Sequence, residues 1–283
     1  MTDLIDTIAV EERYTIGGKA VIIRRDDLAY KPPLPPNAKM SALCGLIERA
    51  AANGYKKVVM FAKKQQGISY AVGLPVFCEM FGLEPIITYP TRTGQPVPEW
   101  LVGLGVEAHG LWANLVYVNV AQSKKLADGV GAYFVPFGFD DALSVDIHAQ
   151  KFALPDYEIG TLVMATMTGM ILAGTLRQIR DRGYSVKRIV AISGGRPSEN
   201  VLESVNKYIG GFDGIGIPFE RLSILNPYDR NVDARVAVDR LHNLYNATIP
   251  TAFHPDYELK AWCWLLENLA NLEPPIYFIN VGR

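Results

Sequence analysis

Short β-rich runs alternate with helix-like runs along most of the chain, and this alternation leaves few folds open. Strand, helix, strand in succession is the pattern of a parallel sheet covered by helices, so the fold class is α/β. Residues 20–24, Lys57–Phe61, 85–89 and 132–136 read as strands in the first half, with 106–108 extending the pattern after a short helix at 100–104. Helices are expected at 40–53, closed by Gly54, and at 69–81, despite Gly73 and Pro75. Residues 115–119 fit a strand or a helix start. In the second half 161–165, 188–192 and Ile276–Asn280 read as strands. Met170–Arg182, 239–245 and 259–269 read as helices. Gly17-Gly18 reads as a hairpin turn. No single linker divides the chain. The expected organisation is a small domain at 41–136 inserted into a larger one made of 1–40 and 137–283.

At 283 residues and 49% hydrophobic, the chain can build one large or two modest cores. Its formal charge of −1 provides no broad basic field for nucleic acid or an anionic membrane. Cys44, Cys78 and Cys263 are far apart, match no metal-ligand spacing and lie in apolar runs, so buried free thiols are expected. That suggests a reducing, cytoplasmic compartment. Met1-Thr2-Asp3-Leu4-Ile5-Asp6 carries acid where a signal peptide carries base. No apolar run is long enough to span a bilayer. His109, His148, His242 and His254 form no ligand spacing, so no metal is expected.

Several segments could carry chemistry. Thr166-Met167-Thr168-Gly169 is a small-residue turn between a strand and a helix. Backbone N–H groups and the helix dipole make such a turn an anion site, or simply an ordinary cap. Ser193-Gly194-Gly195 is a rival anion turn. Gln65-Gln66-Gly67-Ile68-Ser69 is a polar loop opening a helix. It could hold a carboxylate or a ring hydroxyl, or merely cap the helix. Lys39 follows the proline-rich stretch 31–37 and precedes a helix, whose dipole disfavours an ammonium there. Tyr257 and Glu258 lie in His254-Pro255-Asp256-Tyr257-Glu258-Leu259-Lys260. A lysine can hold an aldehyde cofactor as a Schiff base, a carboxylate can keep a pyridine nitrogen protonated, and a phenol can move protons or attack carbon. The three together describe a pyridoxal-phosphate (PLP) site. For each residue alone the plainer reading is a solvated lysine or a surface helix start.

In order along the chain, these segments resemble the fold-type II PLP enzymes, and within them the aminocyclopropane-carboxylate deaminase and D-cysteine desulfhydrase family. Arg24-Arg25-Asp26-Asp27-Leu28 followed by Ala38-Lys39-Met40 is similar to the family's Lys-Arg-Asp-Asp-Leu strand and its PLP-lysine loop. The 254–260 segment is similar to Asp-Pro-Val-Tyr-Glu/Thr-Gly-Lys. The ending Ile276-Tyr277-Phe278-Ile279-Asn280-Val281-Gly282-Arg283 resembles an apolar strand before His-Thr-Gly-Gly, and Ile189-Val190-Ala191-Ile192-Ser193 with Arg196-Pro197-Ser198-Glu199 resembles the strand after the phosphate loop.

The resemblance implies two domains, each a mostly parallel twisted sheet flanked by helices. It also implies Lys39 as the Schiff-base lysine and Thr166, Thr168 and Gly169 as phosphate ligands. Glu258 would face the pyridine nitrogen, Tyr257 would be the active-site phenol, and Tyr228 would be a second tyrosine. Ser69 falls where an asparagine flanks the ring hydroxyl in many relatives. Four departures stand out. Ser-Asn-His is replaced by Ile68-Ser69-Tyr70. The phosphate loop keeps only Gly169. The lysine loop carries prolines, and the final glycine is Arg283. The expected activity is that of a PLP-dependent lyase or deaminase acting on a small amino acid or amine, in a homodimer. The alternatives are β-replacement or decarboxylation of an unusual substrate, or a catalytically silent PLP- or nucleotide-binding protein.

Overall fold

The computed structural model describes residues 10–63, 68–92, 95–112, 115–151, 153–210, 222–227, 234–245 and 252–282. The strands are β1 (Val10–Ile16), β2 (Lys19–Arg25), β3 (Lys57–Phe61), β4 (Glu84–Pro90), β5 (Glu107–Leu111), β6 (Tyr133–Phe134), β7 (Ile159–Thr166), β8 (Val186–Ser193), β9 (Leu222–Leu225) and β10 (Ile276–Asn280). The helices are α1 (Met40–Ala52), α2 (Ile68–Phe81), α3 (Glu99–Val102), α4 (Val116–Gly129), α5 (Ala142–Lys151), α6 (Met170–Arg182), α7 (Ser198–Ile209), α8 (Ala234–Leu244) and α9 (Glu258–Asn268). The ambiguous 115–119 run is therefore the start of α4.

The chain forms two compact units. One comprises Tyr30–Pro35 and Lys39–Ser144. The other comprises the described residues up to Ala29, Pro36–Ala38 and those from Val145 on. The first carries a four-stranded sheet ordered β5-β4-β3-β6, parallel throughout. Its helices α1 and α2 pack together closely: a Cβ added at Gly73 would lie 2.6 Å from Met40 Sδ. A glycine that weakens a lone helix is thus what lets α2 approach α1.

The second unit carries a six-stranded sheet ordered β1-β2-β10-β7-β8-β9. Only the β1–β2 pair is antiparallel. Gly17 and Gly18 have φ of +53° and +77°, and Ile16 pairs with Lys19. A two-residue hairpin turn with φ positive at both positions favours this dipeptide. All eight residues of β7 are buried, as a central parallel strand requires. One face of the sheet packs on α9, where Ala261, Trp262, Cys263, Leu265 and Leu266 are inaccessible to solvent. Trp262 stacks on Phe253 and meets Phe278 edge-on. The three cysteines are buried and none is in a disulfide. Among the described residues no helix is long and apolar enough to cross a membrane.

Strand order locates the ligand edge of this sheet. From β7 the chain steps outward through β8 to β9, then returns to place β10 on the other side of β7. The order reverses between β10 and β7. In open α/β sheets ligands bind beyond the carboxyl ends of the strands at such a reversal.

Candidate active site

The carboxyl end of β7 is the turn Thr166-Met167-Thr168-Gly169, and α6 begins at Met170. Gly169 has φ of +87° and serves as the helix N-cap without a side-chain bond. The N-terminal N–H groups of α6 are therefore offered at the turn rather than consumed by a cap. A Cβ at Gly169 would come within 2.9 Å of Val205 on α7, so the turn is backed from below. The first residues of α6 are Met170 and Ile171, which add no hydroxyl.

The rival turn at 193–196 lies beside this one. Strand register pairs Thr166 with Ser193, and Gly194 N donates to Thr166 O at 3.0 Å. Arg196 N donates to Ser193 Oγ at 3.0 Å, which folds the turn back on itself. The Arg196 guanidinium then reaches the Met167 carbonyl at 3.5 Å. A cation thus stands against the anion turn. In the sequence Arg196 stands out only within a strand resemblance, without a role of its own.

Tyr257 lies on the second turn. A Cβ at Gly194 would meet Tyr257 Cδ1 at 2.5 Å and Cε1 at 3.0 Å, so glycine is what admits the ring. His254 O accepts hydrogen bonds from Tyr257 N at 3.3 Å and Leu259 N at 3.0 Å. The His254 and Tyr257 ring centroids are 4.8 Å apart. Those contacts hold the phenol in place as α9 begins. Glu258, the first residue of α9, is only 2% exposed. That rules out the plain reading of a solvated helix start. A carboxylate taken out of water calls for a positive or protonated partner.

Lys39 is positioned through its neighbours. Ala38 N donates to Val281 O at 2.7 Å, and Asn37 bridges Gly282, so residues 37–38 are pinned to the carboxyl end of β10. Lys39 is the next residue, and its carbonyl accepts from Leu43 N as α1 starts. Its Nζ lies 5.7 Å from the Tyr70 ring centroid. Ser69 lies in the first turn of α2; Tyr228 falls outside the described residues. The Arg-Asp-Asp motif is a brace rather than part of the site. Arg25 grips both oxygens of Asp27 at 2.8 Å, and Arg24 Nη2 donates to Asp26 at 2.8 Å. Burial pushes the Asp26 carboxyl above its ordinary range, against the pull of Arg24.

These residues suit a phosphate-bearing pyridine aldehyde. Within the second unit the turn, its helix N-terminus and Arg196 could hold an anion, and Glu258 could face a protonated ring nitrogen; Lys39, in the first unit, could offer an amine. No protein-family model matches the chain. A glycyl-dTMP PLP-dependent decarboxylase of Pseudomonas phage M6 is 24% identical over 295 residues, spanning 96% of this chain and 97% of the phage protein. A crystal structure of an ACC deaminase homologue aligns with a TM-score of 0.76 at 19% identity, over 99% of this chain and 90% of that one. A hydrogen sulfide-producing enzyme from Fusobacterium nucleatum aligns with a TM-score of 0.64 at 15% identity, over 99% and 96%. The processed form of threonine deaminase isoform 2 from Solanum lycopersicum aligns with a TM-score of 0.64 at 14% identity, over 98% and 84%. The chain has the fold of the fold-type II PLP enzymes, as the sequence motifs imply.

Proposed function

We propose that the protein is a PLP-dependent lyase that decarboxylates an amino-acid group, carried on a pyrimidine nucleotide. The observation that carries the enzymatic reading is the convergence at one sheet edge: the 166–169 turn, Arg196 and Tyr257 are joined through Gly194. The phage decarboxylase, similar over nearly its whole length, supports the choice of reaction and substrate.

Bound on Lys39, PLP would supply an electron sink for the bond broken at the substrate's amino carbon. Thr166, Thr168, the α6 N-terminus and Arg196 would hold the phosphate. Glu258 would keep a proton on the ring nitrogen, because a buried carboxylate is stabilised by a positive charge beside it. In that reaction the substrate carboxylate would leave as CO2 and a proton would take its place on the amino carbon. The Tyr257 hydroxyl, or the Lys39 amine once the substrate amine has displaced it from the cofactor, would deliver that proton.

A second reading is deamination, favoured by the adjacent phenol and buried carboxylate and by the alignment with the ACC deaminase homologue. The test is incubation of PLP-loaded protein with carboxyl-labelled glycyl-dTMP. Labelled CO2 supports decarboxylation. Ammonia without CO2 supports deamination. Neither product, from a protein whose Lys39 is not marked by borohydride reduction with PLP, overturns the enzymatic reading.

A further inference from the structure

Strand β5 forms one edge of the four-stranded sheet, and among the described strands it pairs with β4 alone. None of its five residues is buried, whereas the middle of β4 beside it is. The Leu111 carbonyl accepts from Thr91 N, just beyond β4, at 3.0 Å. Backbone groups alternate in direction along a strand. Glu107, His109 and Leu111 therefore spend theirs on β4, and Ala108 and Gly110 turn theirs to the open edge. Such an edge is a template for another strand. Lysine or proline commonly blunts one, and Glu107–Leu111 contains neither. Large apolar side chains mark both its ends. Trp112, directly after β5, is 74% exposed, and Val102, at the end of α3 before it, is 69% exposed. Leu115 and Tyr117, also exposed, follow Trp112 within five residues.

We infer that this edge pairs with the same edge of a second copy of the chain, antiparallel about a two-fold axis at Ala108. The outward backbone groups let Ala108 of one copy face Ala108 of the other as a hydrogen-bonded pair. That register sets Glu107 of each copy opposite His109 of the other, at the closer positions that exchange no backbone bonds. A carboxylate only accepts and an imidazole N–H donates, so each cross-strand pair is complementary. An axis centred on Glu107 or on His109 would instead set like against like, so the side chains select the register. The same two-fold carries the Trp112 end of each strand toward the Val102 end of the other, as a self-complementary contact requires. An unrelated strand would have to reproduce that order of charge and apolar groups; a second copy does so by symmetry.

Sedimentation equilibrium of the full chain, with cross-linking, tests this. Wild-type protein should dimerise as its concentration rises. Ala108→Pro removes both central hydrogen bonds without touching a bond to β4, and should weaken dimerisation at least about tenfold. Glu107→His should weaken it as well. Adding His109→Glu to that variant should restore it, because the exchange rebuilds both pairs; a damaged fold would not be rescued in this way. Ala108→Cys should give a disulfide-linked dimer under mild oxidation, since hydrogen-bonded antiparallel partners lie about 5.5 Å apart between Cα atoms. Val106→Cys should not, its two copies lying roughly 14 Å apart along the strands. The native cysteines are buried and in no disulfide, so they leave the readout clean. A monomer at every concentration overturns the inference. So does a dimer that survives Ala108→Pro and leaves Ala108→Cys unlinked, which would assign the contact to another face. None of these readings uses turnover, so they stand apart from the proposed reaction.

Discussion

Gly194→Ala should damage the site and the fold together. The added methyl would lie 2.5 Å from Tyr257 Cδ1, 3.0 Å from Cε1 and 3.1 Å from the backbone oxygen of Asp256. Carbon atoms prefer about 3.5–4.0 Å, so the ring must retreat by about 1 Å. It has little freedom to do so, since Cδ1 is close to the backbone and the ring lies against His254. Overpacking of this kind costs about 1–3 kcal/mol. At about 2–4 °C per kcal/mol for a large domain, the melting temperature should fall by roughly 2–12 °C. A 1 Å displacement of a positioned group can lower turnover by about a hundredfold. Calorimetry and product release on the same preparation read both effects. Gly160→Ala is the control. Its methyl would meet the carbonyl oxygens of Glu273, at 2.4 Å, and Pro274, at 2.6 Å, away from the proposed site. That variant should lose stability while its folded fraction keeps wild-type turnover. A Gly194→Ala protein with wild-type melting and turnover would refute the placement of Tyr257 on the turn.

Arg196→Ala should weaken PLP binding at least about tenfold by fluorescence titration, the loss expected of a hydrogen bond from a charged group; unchanged affinity would remove Arg196 from the phosphate site. Thr168→Glu should weaken it further by setting a negative charge beside a dianion. Glu258→Gln should retain PLP yet lower kcat, and Tyr257→Phe should do likewise; wild-type kcat in both would return the pair to a structural role. His242 titrates below its ordinary range because of burial, and its Nε2 accepts from Trp262 Nε1 at 2.9 Å. With the folded value depressed, the unfolded chain takes up a proton first, so stability is full above about pH 6.5 and falls as pH drops through that value. His242→Gln should flatten this part of a melting-temperature profile between pH 7 and 5; an unchanged slope would assign the loss to other groups.

The buried parallel strands were the most legible part of the fold. Lys57–Phe61 and Ile276–Asn280 match their expected bounds as short apolar runs, and the amphipathic helix Met170–Arg182 matches because Gly169 and Gly183, both at positive φ, bracket it. The missed elements are polar or short. β1 carries Glu11, Glu12 and Arg13 and forms a sheet edge, where its charges find partners that no hydrophobic pattern records: Glu12 meets Arg25, and Glu11 accepts from Tyr277. α7 buries only Val201, Val205 and Ile209, a stripe one residue wide. α5 and the four-residue β9 also escaped. At the site, residue types were legible but neighbours were not. Arg196 acquires a role only because Thr166 and Ser193 end adjacent strands in register.

The same register dissolves the choice between two anion turns. Sequence alone presents 166–169 and 193–195 as competitors, since either could open onto a phosphate. In the structure Gly194 N already donates to Thr166 O, so that backbone donor is spent on the first turn. What the second turn contributes is different: Gly194 supplies space for the Tyr257 ring, and Arg196 supplies charge. The first turn is followed by Met170 and Ile171, which offer an anion no hydroxyl beyond those of Thr166 and Thr168. A guanidinium donates through several N–H groups and stays protonated at any physiological pH, so Arg196 can supply donors that they lack. If a phosphate is held at these two strand ends, its binding should depend more on Arg196 than on either threonine hydroxyl, and a larger loss in Thr168→Ala than in Arg196→Ala would refute this.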